Sequence, residues 1–302
     1  MKGYGRHRII RWAVVLFVLA GAASTSRAVN LVQEFYLPIP EAQIRLACTA
    51  VESSVGTNFE SIFSIVVSAD ATVIYYDQWE DGYEIDLSQP TQATTRIWGD
   101  GIDANGIPPG FAHDPVGLAT GTVLTLRNTI PLPRNPANLF YDGRDRLRAN
   151  KALVISRAGW PTPPGSVFGG SVAVPATIDY GTNYISPVGQ DMTNGLFQYV
   201  GLFVMPSDDG TSVTIDPDGS GPTASITTTW NRGESYLLNG GVKKGGSVLA
   251  TKPVQVNLVA GHINAHYAMD WFTLYPVDQW SDRYYTPVGS RRRCGSTRWT
   301  GR

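Results

Sequence analysis

The chain has 302 residues, 42% of them apolar and 16% charged, with two cysteines and a formal net charge of −1. That charge averages unlike segments: of 24 Lys and Arg, five lie in residues 1–28 and five beyond residue 290, leaving 14 against 25 acids, or −11, for the body. The sign works against nonspecific binding to nucleic acid or anionic lipid, which relies on Lys and Arg neutralising phosphates, and it suits a soluble protein or a cation binder.

The first residues read as an export signal. Lys2, Arg6, Arg8 and Arg11 form a basic region, Trp12 to Ala23 is apolar and uncharged, and Ser26-Arg27-Ala28 places small residues where a signal peptidase needs them. A signal peptide over 1–28 and a mature N-terminus at Val29 follow. The apolar core is much shorter than the ~20 residues a membrane span requires. Ala22 stands where a lipoprotein would carry cysteine. The expectation is a chain exported to the extracellular space, cell surface or periplasm, with no integral membrane span once mature. The absence of an Asn-x-Ser/Thr acceptor favours bacterial export.

Beyond the leader, 32 Gly and 20 Pro interrupt any long helical periodicity, and no helix is expected. Short runs rich in Val, Ile, Thr and Tyr remain: Ile62–Val67, Ala71–Tyr76, Thr122–Leu126, Ala152–Ser156, Leu202–Met205, Ser212–Ile215, Ala224–Thr229 and Val254–Val259. Their spacing predicts an all-β fold of antiparallel sandwich type. Cys48 reads as a buried free thiol on a strand, since a chain this long folds without disulfides.

Three segments recur in the same order. Ser68–Ile74 matches Ser207–Ile215, Lys151–Ser156 matches Lys252–Asn257, and Tyr184–Gly189 matches Tyr284–Gly289. The reading is two tandem β-sandwich domains, 29–190 and 191–290, the first carrying an insertion at about 77–135. From Arg291 to Arg302 the chain turns basic and reads as a truncated or frame-shifted tail.

The densest chemistry lies in Val73–Asp86. Asp81-Gly82 predicts a type I′ hairpin, which would set Asp77 opposite Asp86 with Glu84 nearby. Like charges directly opposed destabilise a hairpin unless something compensates. Asp77, Glu84 and Asp86 are therefore the candidate metal residues, with Ca²⁺ as the cofactor or, instead of an ion, a salt-bridge partner in Arg144, Arg146 and Arg148. Asp216–Gly221 and Asp100–Gly106 resemble calcium loops but lack the full ligand spacing and read as turns. His262 and His266 have the i, i+4 spacing of zinc ligands, which serves only on a helix, and this segment reads as extended. There is no Gly-x-Ser-x-Gly elbow and no phosphate loop, so no catalytic residue is nominated. The tryptophans are sugar-stacking candidates or core anchors.

Tyr75–Glu84, Ile97–Gly106 and Phe140–Asp145 resemble segments of large secreted bacterial surface proteins built from repeated β-domains. The strand–Gly-Thr-Asn-Tyr–Pro-Val-Gly arrangement is similar to bacterial domains related to the N-terminal region of IgGFc-binding proteins. The resemblance implies an adhesion or structural module without catalytic residues. The expected function is a non-enzymatic secreted or cell-surface β-sandwich module whose partner is an extracellular protein or polysaccharide. The alternatives are a calcium-assisted carbohydrate-binding module and a secreted hydrolase.

Overall fold

The computed structural model describes residues 30–106, 113–162, 169–221, 225–264 and 269–283. The proposed signal peptide, the Tyr284–Gly289 repeat, His266 and the basic tail lie outside them. Within them the protein is mostly β, in antiparallel sheets, as the short Val/Ile/Thr/Tyr runs predict.

The first sheet has the order β1 (Gln33–Tyr36), β6 (Arg146–Ala149), β3 (Ile74–Asp77), β4 (Arg96–Trp98). The second has the order β5 (Val123–Pro131), β2 (Asn58–Val67), β7 (Leu153–Thr162), β8 (Gly170–Val174). Residues of both meet in one apolar layer, where Phe35, Ile74, Tyr76, Trp98 and Leu147 pack with Phe63, Ile65, Leu124 and Ile155. Strand β7 alternates strictly, and its inward positions include a charge, Arg157.

The third sheet has seven strands, built on β14 (Ser247–Gly261). The first half of β14 runs between β11 (Thr211–Asp216) and β9 (Gly181–Ile185); its second half runs between β10 (Tyr199–Pro206) and β15 (Met269–Leu274). Outside these lie β12 (Ile226–Trp230), paired with β11, and β13 (Tyr236–Leu238), paired with β10. Every residue of β10 is buried. Its period of two splits between separate apolar clusters, Val200, Leu202 and Val204 in one and Tyr199 and Phe203 in the other.

Two sequence expectations need correction. A helix, α1 (Glu41–Val51), follows β1, where none was expected. Its segment contains no Gly or Pro, and Ile44, Ala47, Cys48 and Val51 fall at i, i+3, i+4 and i+7, giving one buried face. Cys48 is a buried free thiol, as expected, but it sits on this helix, 3.7 Å from the Met269 sulfur. Burial pushes its thiol up to about 12. The Asp81-Gly82 hairpin is not formed either. Strand β3 ends at Asp77, and both its edges are already paired, with β6 and with β4, twenty residues on. Gly82 has φ +89°, yet Asp81 is not left-handed, so the double positive φ of a type I′ turn is absent. A turn closed by Gly82 N–H to the Trp79 carbonyl (3.2 Å) takes its place.

The chain enters the third sheet at β9, before residue 190. The two halves also share an apolar cluster in which Ile44, Phe59 and Val172 meet Phe203, Val259 and Trp271. At Gly170 the β8 backbone lies directly against the Trp271 ring, leaving no room for a Cβ. The matched segments sit differently in the two halves. Ser68–Ile74 leads into β3, in a different sheet from β7, which carries Leu153–Ser156, whereas Ser207–Ile215 leads into β11, directly beside the Lys252–Asn257 part of the β14 sheet.

Candidate functional site

Asp77 pairs with Arg146 in the β3–β6 register, so the residues leaving β3 stay beside those entering β6. This brings Trp79 and Glu80 against Asp142 and Asp145, more than sixty positions later. Glu80, Asp142 and Asp145 each place a carboxylate oxygen within 4.8 Å of the other two. The Glu80 side chain is 0% exposed, and Asp142 and Asp145 are fully buried.

The surrounding donors are specific. Asp145 accepts from the Tyr76 hydroxyl, from Trp79 N–H (3.2 Å) and from Asp142 N–H (2.9 Å). Asp142 accepts from the Trp79 indole N–H (2.8 Å) and from Arg134 Nε (2.8 Å). Glu80 Oε1 accepts from Arg134 Nη2 and from Phe140 N–H (3.2 Å), whereas its buried Oε2 has no donor. Burial raises all three carboxyls above their usual range. Asp142 is pushed up to about 8, reinforced by the Glu41 and Glu80 charges, and Asp145 is held well above normal.

Beside the cluster opens a cleft of about 530 Å³, whose walls include Gln43, Trp79, Arg134, Arg144, Trp230 and Glu234. Arg144 has φ +88°, a conformation a non-glycine residue seldom adopts, and its guanidinium lies 4.0 Å from the Trp79 ring centroid. Trp230 stacks on Tyr236 at 5.0 Å. Behind the cleft, Glu41 at the start of α1 is held by Ser61 Oγ (2.6 Å), Gly143 N–H (3.1 Å) and Arg157 Nη2 (2.7 Å). Gly143 is required there, because a Cβ would lie 2.6 Å from Pro40 Cα.

The residues singled out from sequence are distributed otherwise. Asp77 is buried, accepts from Glu84 N–H (2.9 Å) and faces Arg146 at 3.7 Å. Arg146 also binds Glu34 (2.6 Å) and the Glu84 carbonyl (2.9 Å). The Glu84 carboxylate turns instead to Thr91 N–H (2.7 Å) and Gln92 N–H (2.5 Å). Asp86 is exposed and accepts from Ser88. These three carboxylates do not form one ligand group. Of the three arginines only Arg146 pairs with Asp77; Arg144 stacks on Trp79, and Arg148 lies opposite Tyr75. In the loops read as turns, Asp216 accepts from Gly219 N–H (3.0 Å) and Asp100 from Ile102 N–H (2.9 Å). His262 lies next to its own chain neighbour, Nδ1 3.0 Å from the Ile263 carbonyl.

Sequence reasoning missed the Glu80–Asp142–Asp145 group, although the acidic-aromatic stretches holding all three were conspicuous. Such a group can hold protons or a hard cation. It does not present two open carboxylates facing each other across a cleft, the arrangement glycoside hydrolysis uses. Comparison with known protein families, with characterised proteins and with solved structures finds no match.

Proposed function

We propose that the chain is a non-enzymatic, exported β-module of tandem sandwich type that serves adhesion or structural spacing at a cell surface. The observation that carries this reading is the engagement of the acids lining the cleft. Glu41 and Asp142 are each bound by an arginine and by further N–H or O–H donors, and Glu234 accepts from Asn231 N–H (2.7 Å), so among the described residues lining the cleft no free carboxylate pair stands ready for acid–base work. The resemblance to repeated surface β-domains and the leader-like N-terminus support the same reading. Among the described residues, no helix is long and apolar enough to cross a membrane.

A second reading, carbohydrate binding, is favoured by one feature: Trp79 and Trp230 line the same cleft, and indole faces stack on sugar rings. The test is to screen the purified chain against immobilised polysaccharides and extracellular proteins while assaying glycosidase, esterase and peptidase turnover. Saturable binding without turnover is expected. Hydrolysis that disappears in Asp142→Asn would overturn the module reading in favour of a hydrolase.

A further inference from the structure

We propose that Glu80, Asp142 and Asp145 form a Ca²⁺ site that holds the turn after β3 against the segment entering β6. The inference stands apart from the adhesion reading, because it concerns what neutralises this cluster whatever the protein binds outside.

Three observations carry it. The first is geometric. Calcium–oxygen distances of roughly 2.3–2.6 Å put ligand oxygens on one ion up to about 5 Å apart, and here one oxygen from each carboxylate lies within 4.8 Å of the others. The second is an orphan. Glu80 Oε2 is buried on a side chain with 0% exposure and meets no donor, in a cluster whose other carboxylate oxygens are all engaged. A carboxylate oxygen taken out of water without a partner is costly, and a cation is the partner its lone pairs lack.

The third is charge. Three carboxylates meet one guanidinium, that of Arg134, which bonds both Glu80 and Asp142. Arg144 makes no ion pair with any of them; its Nε is spent on the Gly233 carbonyl (3.1 Å) and its plane on Trp79. Arg157 is committed to Glu41. The ionised group is therefore left two charges short of neutrality, the charge of one divalent ion. Calcium fits better than magnesium, because Mg²⁺ keeps several waters in a strict octahedron and this site has almost no solvent contact. Ca²⁺ accepts irregular carboxylate cages, and the three side chains offer six oxygens.

Trp79 supplies a built-in reporter. Its indole N–H is 2.8 Å from Asp142 Oδ1, close enough to sensitise luminescence from Tb³⁺, which replaces Ca²⁺ at oxygen sites. The experiment uses the full chain, stripped with EDTA and titrated with Tb³⁺ under tryptophan excitation, then with Ca²⁺ as competitor, alongside thermal melts in EDTA and in Ca²⁺. The expected result is saturable emission at one ion per chain, displaced by Ca²⁺, and a melting temperature higher in Ca²⁺ than in EDTA, by mass action.

Glu80→Gln should weaken Tb³⁺ binding at least tenfold and abolish the Ca²⁺ increment. In EDTA it should melt above wild type, since it removes one of three buried carboxylate charges that share a single arginine. Asp86→Asn, altered in the exposed 86–88 turn, should leave both signals unchanged. Wild type alone decides the matter if Glu80→Gln does not fold. An absence of saturable emission, together with equal melting in EDTA and Ca²⁺, would overturn the proposal and leave the cluster neutralised by protons.

Discussion

Arg157 and Glu41 offer the most demanding test of how this fold handles buried charge. Arg157 occupies an inward position of β7 where the alternation calls for an apolar side chain, and it is 0% exposed. Its guanidinium bonds Glu41 (2.7 Å) and the Pro38 carbonyl and lies 5.2 Å from the Phe63 ring centroid. Glu41 is 2% exposed and keeps only two neutral donors, Ser61 Oγ and Gly143 N–H, once the arginine is gone. Arg157→Met keeps an unbranched stem but removes the guanidinium, its place over Phe63 included, and strands the carboxylate. Stranding one member of a buried pair costs about 3–5 kcal/mol. At a urea slope near 3 kcal/mol per M, that lowers the unfolding midpoint by about 1–1.7 M. Replacing both members, Arg157→Met with Glu41→Gln, should recover roughly 1–3 kcal/mol relative to the sum of the single effects. Urea unfolding followed by tryptophan fluorescence measures all four corners of the cycle. If Arg157→Met lies within about 1 kcal/mol of wild type, or the two changes add without coupling, the pair is not the electrostatic unit described above.

Two further predictions rest on single positions. Gly170→Ala forces a methyl into the Trp271 ring, which is itself stacked on Phe59 at 6.4 Å, and should cost about 1–3 kcal/mol, while Ser171→Ala, one residue on and exposed, should be neutral in the same denaturant series. Asp77 titrates with a sign opposite to that of an ordinary salt-bridged carboxylate. Burial pushes it up to about 7, outweighing the Glu84 N–H and Arg146. The unfolded chain therefore ionises it first, from about pH 4, so its contribution to stability is complete below that pH, falls as pH rises toward 7, and is flat above. Asp77→Asn should make the fall in stability between pH 4 and pH 7 shallower, and an unchanged slope would contradict the assignment.

The strands were legible because alternation is a local property: β2, β7 and β11 state their buried faces residue by residue. Helix α1 carried the same kind of local signal at 3.6 spacing, in a Gly- and Pro-free stretch only eleven residues long, and it was hidden by the β-rich context. The candidate site was harder for a different reason. Asp81-Gly82 is a strong hairpin signal taken alone, but a hairpin needs a free strand edge, and the edges of β3 are taken by β6 and β4. Nothing within Val73–Asp86 says so.

Once β3 pairs with β6, which acids meet is set by strand register. Asp77 falls opposite Arg146 and acquires a cation, whereas Glu80, three residues on, falls beside Asp142 and Asp145 and shares one arginine with Asp142. Acids in one short stretch thus meet different arginines and different numbers of neighbouring acids through partners that are distant in the chain. Local spacing could nominate the acidic stretch as the place where charge has to be compensated. It could not say which carboxylates would be left short, because that depends on how many arginines the loop before β6 delivers, and it delivers Arg134 alone to three buried acids.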